Sequence, residues 1–256
     1  MKNYYYLSAS LPTLEITKKP EIEFSDFIFL ANMNLDEKDL KIFKKFRSFI
    51  DINNLKLYWQ HKTIDYRGNF SEKEIAENIF LEDLFPSYVT DFVNKYESEE
   101  DRLNNFSYLL VSFFKDVEEN EVSFFKKYFR FEREFRLTLL ALRAKKNNFD
   151  IARQLQFEDE NDPFVMNILA QKDAPSIEID EKFSELKDIY NKDYENPLTL
   201  YKKILEYKFK KIEDFIELIP FSIDRILAFF QELLMVEDWD SLNDEKANEM
   251  IINLVV

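Results

Sequence analysis

The sequence predicts an all-α protein, and three observations carry that prediction. Glycine is almost absent: Gly68 is the one glycine in 256 residues. Sandwiches, barrels and doubly wound sheets use glycine for turns with positive φ and for close backbone approach. Helices can end on Asn or fray into short loops without it. Apolar residues recur at helical spacing over long windows, and Ser, Asp, Asn or Pro stands ahead of several of them as a start signal. The chain is 46% hydrophobic with 27 Phe and 13 Tyr, which supplies a sizeable core. No Pro/Gly/Ser linker interrupts it, so one helical domain over 1–256 is expected, with room for two or three related sub-bundles.

In chain order, residues up to Lys19-Pro20 look like an extended lead-in that packs Tyr4, Tyr6, Leu7 and Leu11. A short helix is expected over Ser25–Met33. Asp36 is placed to cap a longer one to about Trp59, in which Leu40, Phe43, Lys44, Arg47, Ile50 and Leu57 recur at helical spacing. Tyr66-Arg67-Gly68-Asn69 is the one clear turn. Ser71-Glu72-Lys73-Glu74 matches the capping box of a helix running to about Glu82. Pro86 restarts the chain at a first-turn position. Ser98 and the acids after it open a helix to about Val117. A long helix from Glu121 stops at Asn147-Asn148. Asp159–Pro163 and Pro175–Asp180 are connectors around a helix over Phe164–Gln171. Asn196-Pro197 starts another to about Lys210, and the last helices are Ile212–Leu218 and Ser222–Asn253, broken near Trp239–Asn243.

Formal net charge is −15, which disfavours nonspecific contact with nucleic acid or an anionic bilayer. Zero cysteines exclude disulfides and thiolate chemistry. The single histidine, His61, rules out a His cluster around a metal, and its place near a helix end suits a surface or capping residue. Glycine-loop nucleotide binding is excluded by composition. Glu158-Asp159-Glu160-Asn161-Asp162 lacks the central glycine and distal glutamate of a calcium loop and reads as a solvated acidic loop. No catalytic, cofactor or metal site is expected. The N-terminus has no continuous apolar signal region, and no window approaches about 18 uninterrupted apolar residues, so a cytoplasmic protein is expected.

The segment FEREFRLTLLALRAKK, Phe131–Lys146, carries the densest chemistry. Its basic residues spread around the helix, with Glu132 and Glu134 among them, so no phosphate-tracking face forms. Phe131, Phe135, Thr138 and Leu142 make one line and Leu137, Leu140, Ala141 and Ala144 another, which implies a helix packed on most sides. Glu132 and Arg136 form an i,i+4 pair of favourable polarity. Arg133, Arg136, Arg143 and Lys145, with Glu132, are therefore the candidate residues, either as structural ion pairs or as a partner-binding surface.

YFRFEREFRLTLLALRAKKNNFDIARQLQ followed by DPFVMNILAQKDAP resembles a bacterial family encoded within V-type ATPase gene clusters. NYYYLSASLPTLEI, YRGNFSEKEI, YESEEDRL and FSIDRILAFFQELLMVEDWDSLN resemble it too, in order and over nearly the full chain. The family is similar to the V-type ATPase component designated C, or d in eukaryotes, and Arg136–Lys145 is similar to a helix motif repeated in that component. The resemblance implies an all-helical funnel between the central rotor stalk and the membrane proteolipid ring. It implies a non-catalytic subunit of a V-type ATPase or ATP synthase that links stalk to ring in ion transport. Its partners would be the stalk subunits and the ring, with no nucleic acid. It would be held peripherally at the inner membrane through the complex. A helical adaptor or assembly factor that binds the same complex transiently is the alternative.

Overall fold

The computed structural model describes residues 4–79, 85–118, 122–216, 221–242 and 244–254, and among these all regular structure is helical, with no strand. The chain divides into two compact units, Met1–Asn34 with Glu121–Val256, and Leu35–Asn120. The second unit is thus inserted in the chain of the first.

The first unit opens with α1 (Tyr5–Ser10) and α2 (Phe24–Asn34). The lead-in expected to be extended is therefore partly helical. Tertiary contacts override its weak propensity: the Tyr4 amide donates to the Phe221 carbonyl at 2.5 Å, and Leu7 is buried.

In the second unit, α3 (Glu37–Trp59) starts where Asp36 accepts from the Asp39 amide, as its sequence predicts. Its buried face differs from the predicted stripe. Phe43, Phe46, Ile52, Leu55 and Trp59 are buried, together with the polar Asp51 and Asn54, whereas Lys44 is exposed. The capping box of α4 (Glu72–Asn78) is complete, with Ser71 and Glu74 exchanging bonds to each other's backbone amides. Its predicted end at Glu82 lies outside the described residues. Pro86 sits just before α5 (Ser87–Lys95) rather than in its first turn.

The single helix expected over 98–117 breaks at Asn105 into α6 (Glu99–Asn104) and α7 (Phe106–Glu118). Two demands conflict there. Arg102 is buried and donates to the Tyr96, Val93 and Glu97 carbonyls at 2.7, 3.3 and 3.1 Å, capping α5. α7 instead turns Phe106, Leu109 and Phe113 inward.

The chain returns to the first unit with α8 (Ser123–Asn147), whose predicted start at Glu121 lies outside the described residues. Asn148 ends it in the left-handed region at φ 56°, the stop that Asn tolerates best after glycine. α9 (Ile151–Gln154) and α10 (Pro163–Ala170) follow, the latter capped by Asp162. A 3₁₀ turn over Glu181–Phe183 leads into α11 (Ser184–Asp193). α9 is only four residues long, although Asp150 caps it by accepting from the Ala152 and Arg153 amides, and α11 has no side-chain cap of its own. α12 (Pro197–Phe215) runs unbroken past the expected stop near Lys210. The expected break near Trp239 is real, and it separates α13 (Ile223–Asp240) from α14 (Asp244–Leu254).

The core of this unit is aromatic. Phe27 of α2 meets Phe229 of α13 at 5.1 Å between ring centroids, and Phe131 stacks on Phe183 at 5.9 Å. Phe135 stacks on Tyr207 of α12. The Phe124 amide, one of the unpaired donors at the start of α8, is met by Asp224 of α13 at 2.7 Å.

Candidate functional site

Both apolar lines of α8 are buried, apart from half-exposed Leu140; Glu132 and Glu134 are buried among them, whereas Lys126, Lys127, Arg130 and Lys146 reach solvent. Glu132 is 1% exposed. Arg136 Nε donates to its Oε1 at 3.0 Å, closing the i,i+4 pair. Lys208 of α12 brings Nζ to 2.6 Å from its Oε2, in an ion contact off the angle of a good hydrogen bond. The ammonium also lies over the Phe135 ring at 5.0 Å. Burial alone pushes the Glu132 carboxyl up, but the charges of Lys208 and Arg136 outweigh it and hold the group below the ordinary glutamate range. Nearby Tyr128 is fully buried, and burial pushes its hydroxyl well up.

Arg133 reaches the other way. Nε and Nη2 donate to Glu158 Oε2 at 3.1 and 2.6 Å, and Nη1 donates to Asp162 Oδ2 at 3.0 Å. Asp162 Oδ1 meanwhile accepts from the Phe164 and Val165 amides at the start of α10. The loop read as a solvated acidic run is therefore split. Glu158 and Asp162 turn inward to Arg133, while Asp159 and Glu160 face solvent. A full cation within reach is worth more to a carboxylate than partial hydration, which is why the loop turns.

Glu134 pairs with Lys182 at 2.8 Å and Arg130 at 3.4 Å. Lys145 Nζ donates to the Lys172 and Ala174 carbonyls at 2.6 and 2.5 Å, tying down the chain between α10 and α11. Arg143 has no hydrogen bond or ion pair from its side chain among the described residues; it lines a hollow with Tyr190, Tyr194 and Ile251. Of the five candidate residues, Glu132 and Arg136 thus share one site, while Arg133, Lys145 and Arg143 each work separately. A carboxylate that touches two cations and is 1% exposed has no access to a substrate proton.

A second polar cluster, in the other unit, was missed from sequence. Asp51, 1% exposed, accepts from the Asn69 amide at 2.6 Å, Asn69 Nδ2 at 2.6 Å and the Phe70 amide at 3.3 Å. Asn54 donates to the Asp65 carbonyl and accepts from its amide, both at 2.8 Å. Arg47 donates to the Arg67 and Gly68 carbonyls, and Arg67 clamps Asp65. Three α3 side chains therefore hold the Tyr66–Asn69 turn against the helix. Gly68 is needed for space: an added Cβ would sit 2.6 Å from Asp51 Oδ1 and 2.8 Å from Asn54 Nδ2. The signal that could have found this cluster is Asp51 and Asn54 at inward positions of an otherwise apolar helix face. His61 is a surface residue, 79% exposed and 3.2 Å from Glu99.

Among the described residues no group of His, Cys, Asp or Glu is arranged to hold a metal ion, and no helix is long and apolar enough to cross a membrane.

The model of a protein family described as "Protein of unknown function (DUF2764)" matches residues 1–256. A Chlamydia pneumoniae protein is 33% identical over 234 residues, which cover 89% of this chain and 88% of that one. A Chlamydia muridarum protein is 29% identical over 257 residues, covering 98% and 97%. Both carry the description "Uncharacterized protein". No solved structure matches.

Proposed function

The chain belongs to the DUF2764 family, and we propose, on the resemblance of its motifs, that it is a non-catalytic subunit of a V-type ATPase or ATP synthase. In this role it couples the central rotor stalk to the membrane proteolipid ring. The observation that carries the proposal is the ordered run of motifs, from NYYYLSASLPTLEI to FSIDRILAFFQELLMVEDWDSLN, that resembles the family encoded in V-type ATPase gene clusters. The structure supports a mechanical part in one respect. The charges of α8 are largely spent on internal contacts: Glu132 to α12, Arg133 to the loop before α10, and Lys145 to the chain after it. A coupler transmits torque only as far as it resists deformation, and a buried helix tied to several neighbours deforms little.

The proposal places the protein at the membrane surface through its complex, with stalk and ring subunits as partners. Affinity purification of the tagged chain from native membranes, followed by mass spectrometry, tests it. Stalk and ring subunits are expected in stoichiometric amounts. Recovery as a free monomer, with the chain absent from separately purified V-type complexes, overturns it. Sub-stoichiometric recovery with assembly intermediates alone replaces it with a transient assembly factor.

A further inference from the structure

We propose that the hollow beside Arg143 binds a monocarboxylate carried on a compact apolar body. Three arginines of α8 are spent on carboxylates: Arg130 on Glu134, Arg133 on Glu158 and Asp162, and Arg136 on Glu132. Arg143 is the exception among the described residues, and it lines a cavity of about 180 Å³ between α8, α11, α12 and α14. Leu139, Leu200 and Ile204 give that cavity an apolar wall, and Ile251 and Ile252 of α14 close one side.

Tyr190 supplies the second, independent observation. It is 4% exposed and lines the same cavity, yet its hydroxyl makes no hydrogen bond among the described residues. Burial and the neighbouring Tyr194 push that hydroxyl up against the opposing charge of Arg143, so it stays an O–H donor. The adjoining polar groups are already engaged. Tyr194 donates to Asn147 Oδ1 at 2.8 Å, and Asn147 Nδ2 donates to the Arg143 carbonyl at 3.0 Å. Arg143 and Tyr190, with no hydrogen bond from either side chain among the described residues, therefore line a largely apolar space together.

A guanidinium, which can only donate, beside a hydroxyl able to donate favours an anion, and the planar guanidinium fork matches the two oxygens of a carboxylate. A phosphate dianion would leave charge uncompensated against the aliphatic wall. The volume is below the roughly 300–1,000 Å³ of pockets that take drug-sized ligands. The occupant is thus a branched aliphatic or small aromatic body bearing one carboxylate. That chemistry is shared by a free acid and by the terminal carboxylate of a polypeptide ending in an apolar residue. Such a site stands or falls apart from the coupling role, because its binding is read on the isolated chain.

The test is a titration of the full-length chain, followed by calorimetry and by amide NMR shifts. The probes are 4-methylpentanoate, 4-methylpentanamide and the tripeptide Gly-Gly-Leu with a free or amidated terminus. The acid is expected to bind, with shifts at residues 139, 143, 190 and 251, and the amide to bind at least about 10-fold more weakly. Arg143→Gln is expected to lose about 10–100-fold and Tyr190→Phe about 5-fold. Because Arg143 has no internal partner among the described residues, Arg143→Gln should keep its melting temperature. Leu139→Phe, which fills the cavity and leaves Arg143 in place, should also abolish binding. Tighter binding of the free-terminus tripeptide than of 4-methylpentanoate assigns the site to a polypeptide terminus, and the reverse order assigns it to a free acid. Equal binding of acid and amide, unchanged binding by Arg143→Gln, or no shifts up to about 20 mM overturns the proposal.

Discussion

Glu132 of α8 and Asp51 of α3 are each 1% exposed, one in each unit, yet they are held in opposite ways. Glu132 touches two full cations, Arg136 and Lys208, and its carboxyl lies below the ordinary range. Asp51 is surrounded by amide donors from Asn69 and Phe70, with Arg47 as a weaker charge, and burial pushes it up to about 6. The difference teaches what each kind of partner replaces. Amide dipoles satisfy the geometry of a buried carboxylate but do not fully repay the lost hydration; two cations do. The first unit therefore contains an ion-paired brace and the second a group that titrates.

The largest expected effect is on the brace. Glu132→Ala leaves Arg136 and Lys208 facing each other in a dry site and should cost about 3–5 kcal/mol. Urea unfolding measures it, and a loss under about 1 kcal/mol would mean that the cations find water or new partners. The double change Glu132→Leu with Lys208→Met should recover much of that loss, since a well-packed apolar pair often matches a buried ion pair.

The next effect separates the two carboxylates by pH. The folded state binds the Asp51 proton more tightly than the unfolded chain, so this stabilisation is complete below about pH 4. It is lost as pH rises through about 6, by about 3 kcal/mol at most. Glu132 works in the other direction: its stabilisation is present above the ordinary glutamate pKa and disappears as pH falls through its lowered value. Asp51→Asn should flatten the decline between about pH 4 and 6 in a series of denaturant melts. A decline that survives the change assigns it to another group, of which Glu232, pushed up to about 7 by burial, is the nearest in kind.

The smallest effect concerns the turn that Asp51 holds. Gly68→Ala forces a methyl against Asp51 Oδ1 and Asn54 Nδ2 and should cost about 1–3 kcal/mol. The same thermal or urea melts measure it. A neutral result would show that the turn moves off α3 without penalty.

The sequence predicts the local features well and the distant partners poorly. The capping box at Ser71, the cap at Asp36, the proline start of α12 and the stop at Asn148 depend on neighbours a few residues away, and each forms. The Glu132–Arg136 pair lies within one helix and was equally readable. Lys208, Glu158 and Asp162 come to α8 from other elements, and no spacing along the chain announces them. The helix break at Asn105 and the helical start at Tyr5 have the same origin, since each is decided by what packs there: Arg102 on the α5 carbonyls, and Tyr4 on Phe221. Asp51 and Asn54 fall within the stripe predicted for α3, but their partners Asn69, Phe70 and Asp65 come from the turn region after it, and no spacing along the helix announces them.

The contrast between the two carboxylates is tested most directly by following their side-chain carboxyl carbons by NMR as pH is lowered, in the folded protein. Asp51 is expected to titrate near pH 6 and Glu132 to remain ionised below the ordinary glutamate range. Titration of both at ordinary values, or of Glu132 before Asp51, would contradict the account.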